Sequence, residues 1–261
     1  MHSVWVGFAN FSAAFSEPAF WTATFNTLEI ALVQLVFFFP VPIALALLLN
    51  SIASDRIRRF VQSVVYLPHF IGWVIIVSIF QQILGGAGVL PDFLGSMGLP
   101  PRYDMMSDPD AFPLAAHPPG RLEGRRLGGT IIILAALLNI DRQQYEAAAI
   151  DGAGGPRRRL WHVTLPGIAP VLILLLILNL GQILSVGFEQ ILLQRDAVGP
   201  DAGEVLDTYV YYHGIKDNDW GGVAAAVGLV KAVIGTALVL GANKFAHRLG
   251  HEGGVYRGAD R

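Results

Sequence analysis

EAAAIDGAGGPRRRLWHVTLPG, residues 146–167, is a polar stretch between two apolar segments, and it carries three consecutive arginines at 157–159. The run EAAAIDGA favours a helix of one or two turns, which Gly152, Gly154 and Gly155 should stop. Proline is favoured at the first position of a helix, so a second short helix is expected from Pro156 to about His162. The next apolar segment then begins at Leu165 and Pro166. Small side chains at Ala147, Ala148 and Ala149 allow another protein to approach closely. The residues equally permit an interfacial hairpin whose Arg157, Arg158 and Arg159 meet lipid phosphates.

The rest of the chain explains why such a loop exists. Of the 261 residues, 53% are hydrophobic and 15% charged, which is more apolar and less charged than an ordinary soluble domain. This composition predicts a membrane protein. A net charge of -2 gives no global signal for a nucleic-acid partner, and the absence of cysteine excludes disulfides, iron–sulfur clusters and thiolate metal sites. The first residues lack the charge and cleavage pattern of a signal peptide and read as an amphipathic loop.

A bilayer core is crossed by roughly 20 apolar helical residues. Four stretches meet that length: 27–50, 61–84, 165–186 and 221–243. A fifth, 128–140, is too short alone. Cytoplasmic loops retain lysine and arginine. That places Arg56, Arg58 and Arg59, the loop with Arg142 and Arg157 to Arg159, and the tail with Lys244 and Arg248 on the cytoplasmic side. Segments 85–112 and 187–220, the latter rich in aspartate, should lie outside. The expected organisation is an extracytoplasmic segment 1–26, a transmembrane domain 27–243 with a cytoplasmic loop 141–164, and a cytoplasmic tail 244–261.

The alternation requires a crossing between about 112 and 140, yet residues 115–129 hold three arginines and a Pro-Pro pair. Each central arginine costs about 2.5–3.5 kcal/mol on insertion scales. Either the stretch is a hydrophilic insertion, or two compensating single-base changes have altered its reading frame. In the shifted frame the code permits Trp-Lys-Asp-Ala-Gly-Trp.

The pattern E-A-A, three residues, G, a gap and L-P resembles the cytoplasmic coupling loop of permease subunits in bacterial ATP-binding-cassette importers. Its positions here are Glu146, Ala147, Ala148, Gly152, Leu165 and Pro166. Further stretches, FWTATFNTL, YLPHFIGWV, WHVTLPGIAPVL, VGFEQILL, DTYVYYHGI and AVGLVKAVIG, are similar to the maltose-type carbohydrate permeases, especially the polysaccharide and aldouronate branch. The resemblance implies an all-α polytopic helix bundle in the bacterial inner membrane. Against the family's six core spans the first is expected to be missing, and the gap before Leu165 is one residue longer than the pattern.

It also implies a division of labour. Two permease subunits form the path for an oligosaccharide or polysaccharide fragment, two cytoplasmic ATPases bind ATP, and an extracytoplasmic sugar-binding protein delivers the cargo. The Glu146–Gly152 helix would dock on an ATPase. The chain itself is expected to be no enzyme and to bind no cofactor, since it has no G-x-x-x-x-G-K-[ST] phosphate loop. Two rivals remain open, a nonfunctional frame-damaged relic and an ATP-independent secondary transporter.

Polar groups at membrane depth are expensive and face a bundle interior or a cavity. Lys231 therefore either faces the substrate path, pairs with a carboxylate on another helix, or extends to a boundary. Asn179 and Gln182, three apart, should share a helix face, as hydrogen-bond partners between helices or as part of the substrate path, and Glu189 closes an outer gate of that path or simply ends a helix in water. Prolines 40, 42, 68 and 170 can kink spans. His247 and His251 are two ligands without a third, a weak metal case.

Overall fold

A computed structural model of the chain describes residues 5–97, 124–152, 155–216 and 222–248. The expectations for 115–123, for the tail beyond Arg248 and for His251 fall outside the described residues. The regular structure of the described residues is all helical, with no strand among them. The chain divides into two compact units: 1–35, 71–121 and 182–235 form the first, and 36–70, 122–181 and 236–261 form the second.

The first unit holds α1 (Ala9–Ser16), α2 (Pro18–Val33), α5 (Trp73–Leu84), α6 (Val89–Ser96), α11 (Phe188–Val198), α12 (Pro200–Gly203) and α13 (Leu206–Tyr211). The expected N-terminal loop is thus helical. Pro18 opens α2 at a position where its missing N–H is no loss, and the helix starts ahead of the expected Thr27. One apolar cluster joins Ile30 and Ala31 to Val186, Ile191, Val198 and Val205. A second joins Ala14, Phe20 and Ala23 to Leu184, Leu206, Tyr209 and Val227. Polar groups of α2 pin the backbone between α12 and α13. Asn26 donates to the carbonyls of Asp201 and Glu204 at 2.8 and 2.9 Å, and the buried Thr27 hydroxyl accepts from the Leu206 N–H at 2.9 Å.

The second unit holds α3 (Pro40–Ser51), α4 (Asp55–Tyr66), α7 (Gly124–Leu138), α8 (Arg142–Ile150), α9 (Pro156–Arg159) and α10 (Leu165–Gly181). Its core is Ala46 and Leu49 against Ile133, Leu134, Leu137 and Ile168. The last described helix, α14 (Val223–Arg248), has residues in both units.

Among the described residues, four helical stretches are long and apolar enough to cross a membrane: Pro18–Ser51, Trp73–Ser96, Pro156–Gly181 and Val223–Arg248. Gly128–Leu138 is a shorter apolar helix. The expected span 61–84 is divided: α4 ends at Tyr66, a 3-10 turn follows over Leu67–Phe70, and α5 restarts from Gly72 in extended backbone. The expected short helix 156–162 is not separate either. It runs on into α10 through a π-turn at Leu160–Thr164, in which the Leu165 N–H bonds the Leu160 carbonyl. Pro166 explains the wide turn, because proline cannot donate to the carbonyl four residues back and its ring presses on it. The same device, a π-turn over Gln34–Phe38, precedes Pro40.

Candidate functional site

The polar loop between the apolar segments begins with α8, a helix held at one end. Asp141 caps α8, its carboxylate accepting from the Gln143 N–H at 2.9 Å, and this satisfies one of the unpaired donors of the first turn. Gly152, at φ +83°, ends the helix in the left-handed region, where a side chain would be strained. Across the bend, Arg158 donates to the Gly152 carbonyl at 3.0 Å. The Tyr145 hydroxyl meets the Thr164 hydroxyl at 3.1 Å, tying α8 to the foot of the α9–α10 span.

These contacts give α8 two faces. Tyr145 and Ala148, three apart, are half-buried. Glu146, Ala147 and Ile150 share the outer face, the last standing 86% exposed. Of the six motif positions, then, Glu146 and Ala147 are presented outward and Ala148 is turned partly inward. Gly152 makes the bend. Leu165 joins the edge of the apolar core, and Pro166 shapes the π-turn. Sequence reasoning passed over Ile150, whose spacing of three and four from Ala147 and Glu146 already put it on their face. It also missed Tyr145, whose partner lies beyond the helix, and it gave Arg158 to lipid phosphate rather than to the Gly152 carbonyl.

The four candidate pathway residues fall in different settings. Lys231 forms an ion pair with Asp207 of α13, the carboxylate-pairing alternative raised for it, and the two side chains are 13% and 23% exposed. Asn179 is exposed and donates to the Leu175 carbonyl of its own helix at 2.8 Å. Gln182 lies just past Gly181 in a turn, so the shared helix face expected for this pair does not form. Glu189 is exposed in the first turn of α11, where the helix dipole favours a carboxylate.

Residues 129–251 match the family model described as binding-protein-dependent transport system inner membrane component. Protein LplB of Bacillus subtilis (strain 168) is 41% identical over 254 residues, covering 96% of this chain and 78% of the relative. The chain belongs to this permease family. The polygalacturonan/rhamnogalacturonan transport system permease protein YteP of the same organism is 40% identical over 253 residues, covering 96% of this permease and 77% of the relative. Among solved structures, a bacterial alginate ABC transporter in complex with an alginate pentasaccharide-bound periplasmic protein contains a chain that superposes with a TM-score of 0.86 at 34% identity. The match covers 96% of the permease and 85% of that chain. The all-helical permease fold and the inner-membrane setting expected from the sequence are those of this family.

Proposed function

We propose that this permease forms part of the translocation path for an oligosaccharide or polysaccharide fragment, and that α8 is the handle through which a separate cytoplasmic ATPase drives it. The observation that carries the reading is the outer face of α8. A helix with an apolar Ile150 almost fully exposed beside a carboxylate and a small alanine, yet anchored beneath through Tyr145 and Thr164, is built to receive another surface and to pass its motion to a span. The carbohydrate class is supported by relatives whose names specify polygalacturonan, rhamnogalacturonan and alginate.

The full assembly in this reading comprises two ATPases, a second permease and an extracytoplasmic sugar-binding protein. ATP is bound by the ATPases, and the loop 141–164 and the tail from 244 face the cytoplasm. Asn179, Gln182 and Glu189, each exposed in the single chain, would be covered by the companion permease or would face an aqueous path, since uncovered polar groups are costly in lipid. The chain contains no cysteine, so a single Ala147→Cys variant gives a unique crosslinking position on it. In intact cells its crosslinker should capture the ATPase. A variant that expresses, carries sugar and never captures the ATPase would refute the handle. Sugar uptake that continues after ATP depletion would instead favour the secondary-transporter reading.

A further inference from the structure

The helix α4 follows α3 through Ile52, Ala53 and Ser54 and is seated on the second unit from one side. Arg58 makes part of that seat. Its Nη2 donates at 2.9 Å to the carbonyl of Ile52, the residue that caps the end of α3, and its Nη1 lies 3.5 Å from the Asp55 carboxylate. A cation is favoured at that end of a helix. Val61, three residues on, packs against the apolar core of the unit, and Val65 is half-buried one turn further. The other side is uncovered. Ile57, Phe60 and Val64, spaced three and four apart, form one stripe in which each is more than half exposed, and Leu67 extends it past the helix end. Arg56, four residues before Phe60, borders this stripe on one edge together with Arg59 and Ser63, and all three are exposed. Neither Arg56 nor Arg59 forms an ion pair among the described residues, and the carboxylate of Asp55 is turned to Arg58.

We propose that α4 is an interfacial anchor that binds acidic phospholipid, its apolar stripe entering the acyl region beneath the headgroups while Arg56 and Arg59 take phosphate oxygens. Other surroundings fit the helix less well. Water would leave three adjoining large apolar side chains uncovered. The acyl core, where a spanning helix would put them, is costly for two unpaired arginines. An apolar face of another protein would cover the stripe and leave both guanidiniums without counter-charge. A leaflet of acidic lipid supplies the two requirements side by side, an apolar layer and a dense sheet of negative charge. The planar guanidinium fork also matches a phosphate in geometry.

The three arginines of α4 thus divide their work. Arg58 ties the helix to the end of α3, while Arg56 and Arg59 are left for the headgroups. They belong to the loop whose positive charge is the mark of the cytoplasmic side, so the lipid bound is that of the inner leaflet. A basic side chain at a surface of acidic lipid strengthens binding by about fivefold at low ionic strength. Salt screens that part and leaves the contribution of the apolar stripe.

The test uses Val64→Cys, unique in this cysteine-free chain, in an importer whose other subunits also lack cysteine, held in phosphatidylcholine nanodiscs with or without phosphatidylglycerol. A nitroxide there should be open to oxygen, which dissolves in the acyl region, and closed to a water-soluble nickel chelate. With a fluorophore there instead, displacement of an acyl-labelled phosphatidylglycerol by each unlabelled lipid measures the preference for the acidic one. Arg56→Gln with Arg59→Gln should lower that preference at least about tenfold at low salt and less at high salt. Arg56→Lys with Arg59→Lys keeps the charge and should keep most of the preference. Chelate access would put the stripe in water, and access to neither reagent would put it against a companion protein; either overturns the anchor. So does an unchanged preference in the glutamine variant. A glutamine variant that loses both the preference and the oxygen access, while the lysine variant keeps both, supports it. Neither readout needs sugar or ATP, so the anchor and the proposed function fail separately.

Discussion

Two short helices of this permease differ in what they leave uncovered. On α13, Asp207 pairs with Lys231, Thr208 donates to Glu204 at 2.9 Å, and Tyr209 is buried against Phe20 and Val227 while donating to Glu17. Its chemistry is turned inward. On α8 the capped and anchored side is satisfied, while Glu146, Ala147 and Ile150 face outward. The first pattern marks a helix that holds its own unit together, and the second, in the proposed reading, one that receives a partner. The contrast predicts that substitutions on α13 act through stability and that substitutions on the outer face of α8 act through coupling.

The largest expected effect tests the α13 side. Asp207→Asn leaves a mostly buried Lys231 without its counter-charge, and breaking one partner of a buried pair costs on the order of 3–5 kcal/mol. Thermal unfolding in detergent should show a large loss, with much of it restored when Lys231→Met is added. If the single variant melts like the parent, α13 is not the structural helix described. A smaller effect is expected at the anchored side of α8. Tyr145→Phe removes the hydroxyl contact with Thr164 and should cost about 1 kcal/mol, while weakening the passage of motion from α8 to the α9–α10 span. Uptake per ATP hydrolysed should then fall more than thermal stability does, and an unchanged ratio would show the anchor to be idle.

Much of this architecture was legible in the sequence because membrane spans announce themselves by length and composition. Three of the four apolar stretches fall within or largely on long helices, while the fourth, 61–84, is divided and only its second half lies in the helical stretch Trp73–Ser96; the stop at Gly152 follows from a backbone conformation that glycine adopts without strain. What was not legible depends on tertiary partners. The start of α2 at Pro18 is hidden because FWTATFN mixes polar and apolar residues, and Asn26 and Thr27 find their use only against the backbone at 201–206. The Lys231 partner lies 24 residues away on a helix of six residues, too short for periodicity to reveal. The site was half legible: the motif marked Glu146 and Ala147, while the inward turn of Ala148 and the outward turn of Ile150 needed the anchor at Tyr145.

The smallest expected change in stability belongs to the outer face of α8, and it accompanies the central functional test. In the assembled importer, Glu146→Ala combined with Ile150→Ala alters exposed side chains and should leave thermal unfolding within about 0.5 kcal/mol of the parent. The measurement is sugar uptake against ATP hydrolysis in vesicles. The account predicts that uptake falls at least about tenfold, corresponding to roughly 1.4 kcal/mol of lost coupling, and that sugar-stimulated hydrolysis falls with it. Uptake at the parent rate in the stable double variant would contradict it.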